Sequence, residues 1–438
     1  MGRDGLFEDL PEVMCAAKAA GKPRLREPVR DQIELRVVDL DALIGSDHAA
    51  RVIWAYVERL ELSALEEAVR ARAHTPGQAP VSPRLLLALW LYGTSAGVGS
   101  ARALARLCTS HDAYRWLCGG VSVNYHGLSD FRSGHLELLD RLLSENLATL
   151  SAAGVIDLDE VVQDGVRVRA SAGSGSYRRR KTLHKELKKA KRLLERLARE
   201  SDADASNQRI EAARHRAARE REQRVQAALD KLAEIEAERK RRAKTNKGQV
   251  DKQKEPRAST TDPQARVMKM ADGGFRPAYN CQLATVAEGQ IVVEAVGVGS
   301  DRGLLRPMVE RIEHRHDRRP KRYLVDGGFT KNDDTEWAWQ RGIRVYGPAV
   351  KNKHNTDPYA PRPDDGPGVA AWRRRMKSPH GKAVYRRRAC GECINARFRQ
   401  WRLHQFTVRG PEKVNTVLLW FALANNILSG HRLITAAT

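Results

Sequence analysis

Residues 158–169 read LDEVVQDGVRVR. Apolar and polar residues alternate through this stretch, the pattern of a β-strand. One carboxylate, Asp164, stands inside the apolar run and is followed by Gly165. Burying an unpaired carboxylate in a strand is costly, so a basic partner or a metal must compensate. If the segment is a sheet strand, Asp164 is either a functional group or an arginine-paired aspartate.

The same question arises downstream. RYLVDGG, residues 322–328, reads as a buried strand that ends in Asp326 before two glycines. Ligand sites in open α/β sheets lie at strand ends, beside such turns. The bland alternative is a turn aspartate. Between the two aspartates, RVMKM (266–270), FRPAYNCQLATV (275–286) and QIVVEAVGVGS (290–300) predict an antiparallel meander turning at Asp272-Gly273-Gly274. A helix is expected over about 302–316 and another from about 331, with a strand at IRVYGP (343–348). Residues 352–381, rich in Pro, Gly, Asn and Asp, predict a mobile loop. The apolar pattern of RGPEKVNTVLLWFALANNILSGHRL (409–433) predicts a core helix behind the sheet. The fold class is α/β with a mixed sheet.

Upstream, residues 1–150 read as helical. VSPRLLLALWLYG predicts a helix capped by Ser82, with Pro83 at its first position and Gly93 as its stop. A second helical stretch ends at Gly119-Gly120, and a third starts from Ser129 as cap. Short helices joined by glycine turns fit a helix-turn-helix-like DNA-binding unit, and fit an ordinary helical bundle equally well.

The chain has 438 residues, enough for two or three domains, and a net charge of +23. So much positive charge implies a polyanionic partner, nucleic acid first. Between Tyr177 and Arg257 there are 27 Lys and Arg against 14 Asp and Glu. There Leu183, Leu187, Ala190, Leu194 and Leu197 form an apolar seam, and Val225, Ala228, Leu232 and Ile235 repeat it on a second helix over about 207–242. A basic helical hairpin follows, either a solvated arm or one that grips phosphates. The N-terminal stretch MGRDGLFEDLPEVMC has no signal-peptide apolar core. LLLALWLY (85–92) and VLLWFALA (417–424) are too short to span a bilayer. The six scattered cysteines form no disulfide framework, which fits the reducing cytoplasm.

A third carboxylate lies in YRRRACGECINARFRQ, residues 385–400. On one helix, Tyr385, Arg388, Glu392 and Arg399 share a face, while Cys390 and Cys393 point elsewhere. The CxxC pair lacks a second pair of zinc ligands at recognisable spacing, so buried, inert cysteines are expected. A zinc knuckle completed by Cys281 or a histidine is the alternative.

In this order, Asp164, Asp326 and Glu392 resemble the DDE triad of bacterial insertion-sequence transposases, whose catalytic domain is ribonuclease H-like. QDGVRVRASAG resembles the first-aspartate strand, STTDPQARVMKM the lead into the second strand, and VDGGF the second-aspartate turn. Tyr385, Arg388, Glu392 and Arg399 match the Tyr-x2-Arg-x3-Glu-x6-Lys/Arg helix. The last position holds arginine in place of the usual lysine. The charged insert falls between the first and second strands, whereas in the best-known relatives the large insertion precedes the glutamate helix.

The resemblance implies a ribonuclease H-like mixed sheet (155–176 and 258–435), preceded by an N-terminal helical DNA-binding domain (1–150) and interrupted by a basic hairpin (177–257). It implies a DNA transposase in which Asp164, Asp326 and Glu392 hold two Mg²⁺ or Mn²⁺ ions. Water would first be the nucleophile at the transposon end, and then the freed 3′-hydroxyl would attack target DNA. Tyr385, Arg388 and Arg399 would hold the DNA backbone, and Arg102, Arg106 and Arg132 are candidates for reading the ends. Partners would be double-stranded DNA and a second copy in a homodimer, with no membrane. The location would be the bacterial cytoplasm, on the nucleoid when DNA-bound. Alternatives are a ribonuclease H-like endonuclease without strand transfer and a non-catalytic DNA-binding protein.

Overall fold

The computed structural model describes residues 37–69, 79–199, 205–245, 255–299, 303–349, 357–360 and 362–437. Most of the N-terminal part of the expected helical region, residues 1–36, lies outside them, as do 70–78.

Among the described residues, seven α-helices precede the sheet: α1 (Ala49–Glu58), α2 (Ser63–Glu67), α3 (Pro83–Ser95), α4 (Ala101–Ser110), α5 (Asp112–Cys118), α6 (Tyr125–Gly134) and α7 (Leu136–Ala152). Every residue of α3 from Leu87 to Thr94 is buried. Gly93 does not stop α3. It lies within the helix where α4 crosses, and a Cβ there would stand 3.3 Å from Leu104. Gly97, at φ +73°, makes the turn instead. Ser129 is likewise inside α6, whose cap is Asn124, with Oδ1 accepting from the Gly127 N–H at 2.9 Å.

The sheet begins with β1 (Glu160–Arg169). The chain then forms a short strand, β2 (Tyr177–Arg178), and the hairpin α8 (Arg180–Arg199) and α9 (Ala205–Thr245). It returns through β3 (Ala258–Ser259), which pairs with β2 and closes the hairpin at its root. Leu183, Val225, Ala228, Leu229 and Leu232 pack with Ala258 as a separate small core. The meander follows as β4 (Arg266–Lys269), β5 (Phe275–Val286) and β6 (Ile291–Val298). After α10 (Leu305–His316) come β7 (Arg322–Val325), α11 (Asn332–Gln340) and β8 (Arg344–Tyr346). Antiparallel β5 takes β1 along one edge and shares its other edge between β4 and β6, while β7 and β8 run parallel to β1. The result is a mixed sheet with β1 at its centre.

Residues 352–381 are not a continuous loop. Residues 352–356 and 361 lie outside the described set, but α12 (Pro367–Lys377) and α13 (Pro379–Arg386) follow. Proline at a first helical position starts a helix as readily as it breaks one. The Glu336 carboxylate of α11 accepts from the Gly368 and Val369 N–H groups and caps α12. The chain ends with α14 (Ala389–Gln400) and α15 (Pro411–Ala437).

Helix α15 is long and apolar enough to cross a membrane, yet it is mostly buried within the protein. It backs β6, α3 and α7. Asn426 accepts from the Val292 N–H at 2.8 Å and donates to the Val292 carbonyl at 2.7 Å. At Val292 the outer backbone of β6 is thereby satisfied by an asparagine in place of another strand. The 49–152 helices and the sheet meet on α15 in one continuous apolar core. Helix α15, buried over most of its length, takes its cover from both.

Candidate active site

The parallel pairing of β1 with β7 matches Gln163 to Val325. One step further along each strand brings Asp164 level with Asp326, at the point where β7 ends. Asp326 is extended (φ −70°, ψ 158°), and its carboxylate accepts from the Gly327 N–H at 2.7 Å. Asp164 Oδ1 accepts from the Gly165 N–H at 2.9 Å. Gly165 must lack a side chain, since a Cβ there would fall 2.3 Å from the Gln282 amide.

The third carboxylate arrives from α14, which packs on β1 through Gly391. A Cβ at Gly391 would stand 3.1 Å from Val162 Cγ1 and 3.2 Å from Asp164 Cβ. The glycine that weakens the helix on propensity is therefore the one that lets it touch the strand. The 385–400 segment is not a single helix: α13 ends at Arg386 and α14 begins at Ala389. Because Arg387 and Arg388 keep right-handed helical dihedrals across the break, the expected face survives. The Arg388 guanidinium lies 5.9 Å from the Tyr385 ring centre, pairs with Glu392, and sits 3.7 Å from Asp164 Oδ2. Next to it, Arg387 pairs with Glu160 at the start of β1 at 2.6 Å. Two consecutive arginines thus fasten the α13–α14 junction to two acids four residues apart on one strand.

Burial raises the Asp164 pKa above the usual carboxylate range. The Gly165 N–H and Arg388 oppose the rise, and the negative charges of Asp326 and Glu392 add to it. Burial works against the Arg388 charge, but Tyr385, Asp164, Glu392 and Asp326 outweigh it and raise its pKa. The Tyr385 hydroxyl is raised, chiefly by burial. A cleft of about 690 Å³ opens here, with Asp164, Asp326, Arg167, Arg169, Arg276 and Arg399 in its wall. Arg399 is exposed on that wall.

Sequence reasoning missed Asn395. It is buried, and its Nδ2 donates to Asp164 Oδ2 at 2.9 Å. Among the described residues its Oδ1 has no hydrogen-bond partner. Its position, three residues after Glu392 and so on the same helix face, was the available signal. Arg167 and Arg169 were also missed, and alternation along β1 puts them on the Gly165 face.

The DNA-reading candidates separate. Arg102 and Arg106 are exposed one turn apart on α4, and Arg102 lies 4.8 Å from the Tyr125 ring centre. Arg132 turns inward. It stacks 4.8 Å from the Trp90 ring centre, bonds the Gly99 carbonyl, and donates to Thr407 Oγ1 at 3.1 Å. It ties α6 to the segment between α14 and α15.

Cys390 is half-buried against the Val162 and Leu324 cluster, where burial pushes its thiol up to about 11. Cys393 is exposed, against the expectation that both would be buried, and Cys281 is fully buried in the main core. Among the described residues, no three His, Cys, Asp or Glu side chains stand close enough together to hold a metal ion. The three carboxylates feel one another's charge, but the Arg388 guanidinium spans Asp164 and Glu392 where a ligand set would close. The donors still suit a hard cation: all are carboxylate oxygens, one is destabilised by its like-charged neighbours, and the buried Asn395 Oδ1 is unclaimed beside them. Glu392 is largely exposed in the first turn of α14, so it has room to turn toward the aspartates.

The mixed sheet thus sets Asp164, within β1, level with Asp326, just beyond the end of β7, and α14 adds Glu392. Residues 38–134 match the Transposase domain (DUF772) family, and residues 244–427 match the Transposase DDE domain, which carries the ribonuclease H-like fold. Together the matches span more than half of the chain, which belongs to the insertion-sequence DDE transposases. Asp326 and Glu392 fall within the DDE match, and Asp164 lies between the two matches. No curated protein and no solved structure matches the chain.

Proposed function

We propose that the protein cleaves DNA at the ends of its element and joins the freed 3′-hydroxyls to target DNA, with Asp164, Asp326 and Glu392 as the catalytic carboxylates. The observation that carries this reading is the register match of Asp164 with Asp326 on parallel strands, with Glu392 linked to Asp164 through Arg388. Divalent Mg²⁺ or Mn²⁺ ions, two in number, would supply a water or 3′-hydroxyl activated for in-line attack and would stabilise the departing oxygen.

The chain's own groups do the rest. Asp164 and Asp326 present oxygens side by side where the β1–β7 pairing ends, and Asn395 fixes the rotamer of Asp164. Arg388 holds Glu392 near the aspartates and compensates their charge in the absence of DNA and cations. When cations take over that compensation, Arg388 is free to meet a backbone phosphate. Arg399, Arg167 and Arg169 line the approach to the cleft and suit the flanking phosphates. Arg102 and Arg106 on α4 remain candidates for contacting the element's ends. Joining two ends requires two sites, so the active complex would be a homodimer on double-stranded DNA, acting on the bacterial nucleoid.

The test is cleavage of a duplex carrying the element's terminal sequence, with Mg²⁺ or Mn²⁺ and with chelator. Asp164→Asn, Asp326→Asn and Glu392→Gln should each lower cleavage at least about 100-fold. Pre-cleaved ends should be joined to a target plasmid. Cleavage without joining would reduce the function to an endonuclease, and cleavage unaffected by Asp164→Asn would remove that residue from the mechanism.

A further inference from the structure

The hairpin has two unlike outer faces. On α8 the seam of Leu183, Leu187, Ala190, Leu194 and Leu197 points toward α9. At 100° per residue, Lys181, Lys185, Lys188, Arg192, Arg196 and Arg199 all lie within about 40° of the opposite direction, and no acidic residue shares that arc. All six are exposed. Among the described residues, Lys181, Lys185, Lys188 and Arg192 have no ion pair, whereas the neighbouring Arg178 and Arg180 pair with Glu186 and Glu236. The stripe runs for about 27 Å. On α9 the face opposite its own seam, taken over the same arc, holds Arg216, Arg219, Gln223, Asp230, Glu234 and Arg241, a mixture of both signs. Lys231 pairs with Glu234, and Gln226 donates to Asp230.

Charge placed only for solubility has no reason to sort by helix. A surface that must meet a polyanion does, because each acid along the track would repel it. Nor does the hairpin need a second copy at its root, where the seam is closed by Leu229, Leu232 and Ala258.

We propose that the outer face of α8 is a docking surface for the phosphate backbone of double-stranded DNA. It is independent of base sequence and separate from the carboxylate cleft. It would add affinity and hold a duplex without contributing to the chemistry, so it stands or falls apart from the catalytic reading.

The experiment is equilibrium binding of the full chain, without divalent ions, to a random-sequence duplex across salt concentrations. The variant Lys181→Gln/Lys185→Gln/Lys188→Gln/Arg192→Gln is compared with Arg214→Gln/Arg216→Gln/Arg219→Gln/Arg221→Gln on α9. Four lost phosphate contacts should make the log–log salt slope shallower by about 3 to 4, and the α9 variant should change it by less than about 1. Between 50 and 200 mM salt, wild type should then lose about 100-fold more affinity than the α8 variant. Helix content by circular dichroism checks that both variants fold. In the unmodified protein, bound duplex should shield Lys181, Lys185 and Lys188 from amine acylation and leave Lys231 reactive. Equal slopes for the two variants, absent shielding, or altered self-association with unchanged DNA binding would each overturn the proposal.

Discussion

Asp164 and Asp326 stand one residue beyond the last paired positions, Gln163 and Val325, of two parallel strands. The pair is fixed by sheet hydrogen bonding and not by a flexible side chain. Neighbouring strands lie about 4.8 Å apart, so the two charges cannot avoid one another. That repulsion helps raise Asp164, and a cation would relieve it. Mg²⁺ or Mn²⁺ should therefore raise the melting temperature of the wild-type protein. At ten times the dissociation constant the gain is about 1.4 kcal/mol, and Asp164→Asn should abolish most of it. A thermal shift of equal size in wild type and variant would count against this site.

Gly391→Ala tests the contact between α14 and β1. Helix propensity favours alanine by about 1 kcal/mol. The new methyl would press on Val162 and Asp164, and crowding of that kind costs about 1–3 kcal/mol. The melting temperature should fall by a few degrees and cleavage should fall with it. A stabilised, fully active variant would show that the helix does not rest on the strand there.

Asn395 is a positioning residue. Asn395→Ala should weaken the apparent affinity for divalent ions about 10- to 100-fold, the usual effect of removing a bond that orients a ligand. DNA affinity measured without cations should stay the same, which separates positioning from general damage. Asn395→Asp puts a second negative charge against Asp164 Oδ2 and should be the less active of the two in low divalent ion.

Glu294 is buried on β6 and meets Arg315 at 3.0 Å and Arg311 at 3.1 Å. Arg315 also reaches Asp140 of α7. Arg315→Met would break the link between helices and sheet and leave Glu294 with the more exposed Arg311. The expected loss is about 3 kcal/mol in the urea midpoint analysis, and adding Glu294→Gln should recover much of it.

Burial lowers the His316 pKa below 6.5, and Arg315 lowers it further, against the Val293 carbonyl and Glu294. His135 is lowered by burial as well. In each case the unfolded chain takes up a proton first as pH falls. The stability they contribute is complete above about pH 6.5 and declines as pH drops through the lowered folded values. Melting temperature should fall between pH 7 and pH 5, and His316→Gln should flatten that slope.

Much of the sheet is legible in the chain. Residues 275–286 were expected as a strand, and β5 spans Phe275–Val286, because Tyr279, Cys281 and Leu283 alternate with Asn280 and Gln282 and the Asp272-Gly273-Gly274 turn marks its start. Residues 352–381 were misread because proline and glycine look alike in a loop and at a helix start. What makes Pro367-Gly368 a start is Glu336, a residue about thirty positions upstream. Arg132 could not be told from Arg102 in sequence, since both are arginines on short helices. Only the presence of Trp90 and Thr407 turned the first one inward.

Sequence by itself determined the strands, the two seams of the hairpin, the sign of the charge and the three acids in their order, because each is written in local periodicity or composition. The tertiary structure alone decided the register that sets Asp164 beside Asp326, the closeness of Gly391 to the strand, the attachment of Asn395 and Arg388 to Asp164, and the merging of the helices with the sheet around α15. Those depend on pairs of residues far apart in the chain, whose meeting is set by packing and not by any pattern within either segment.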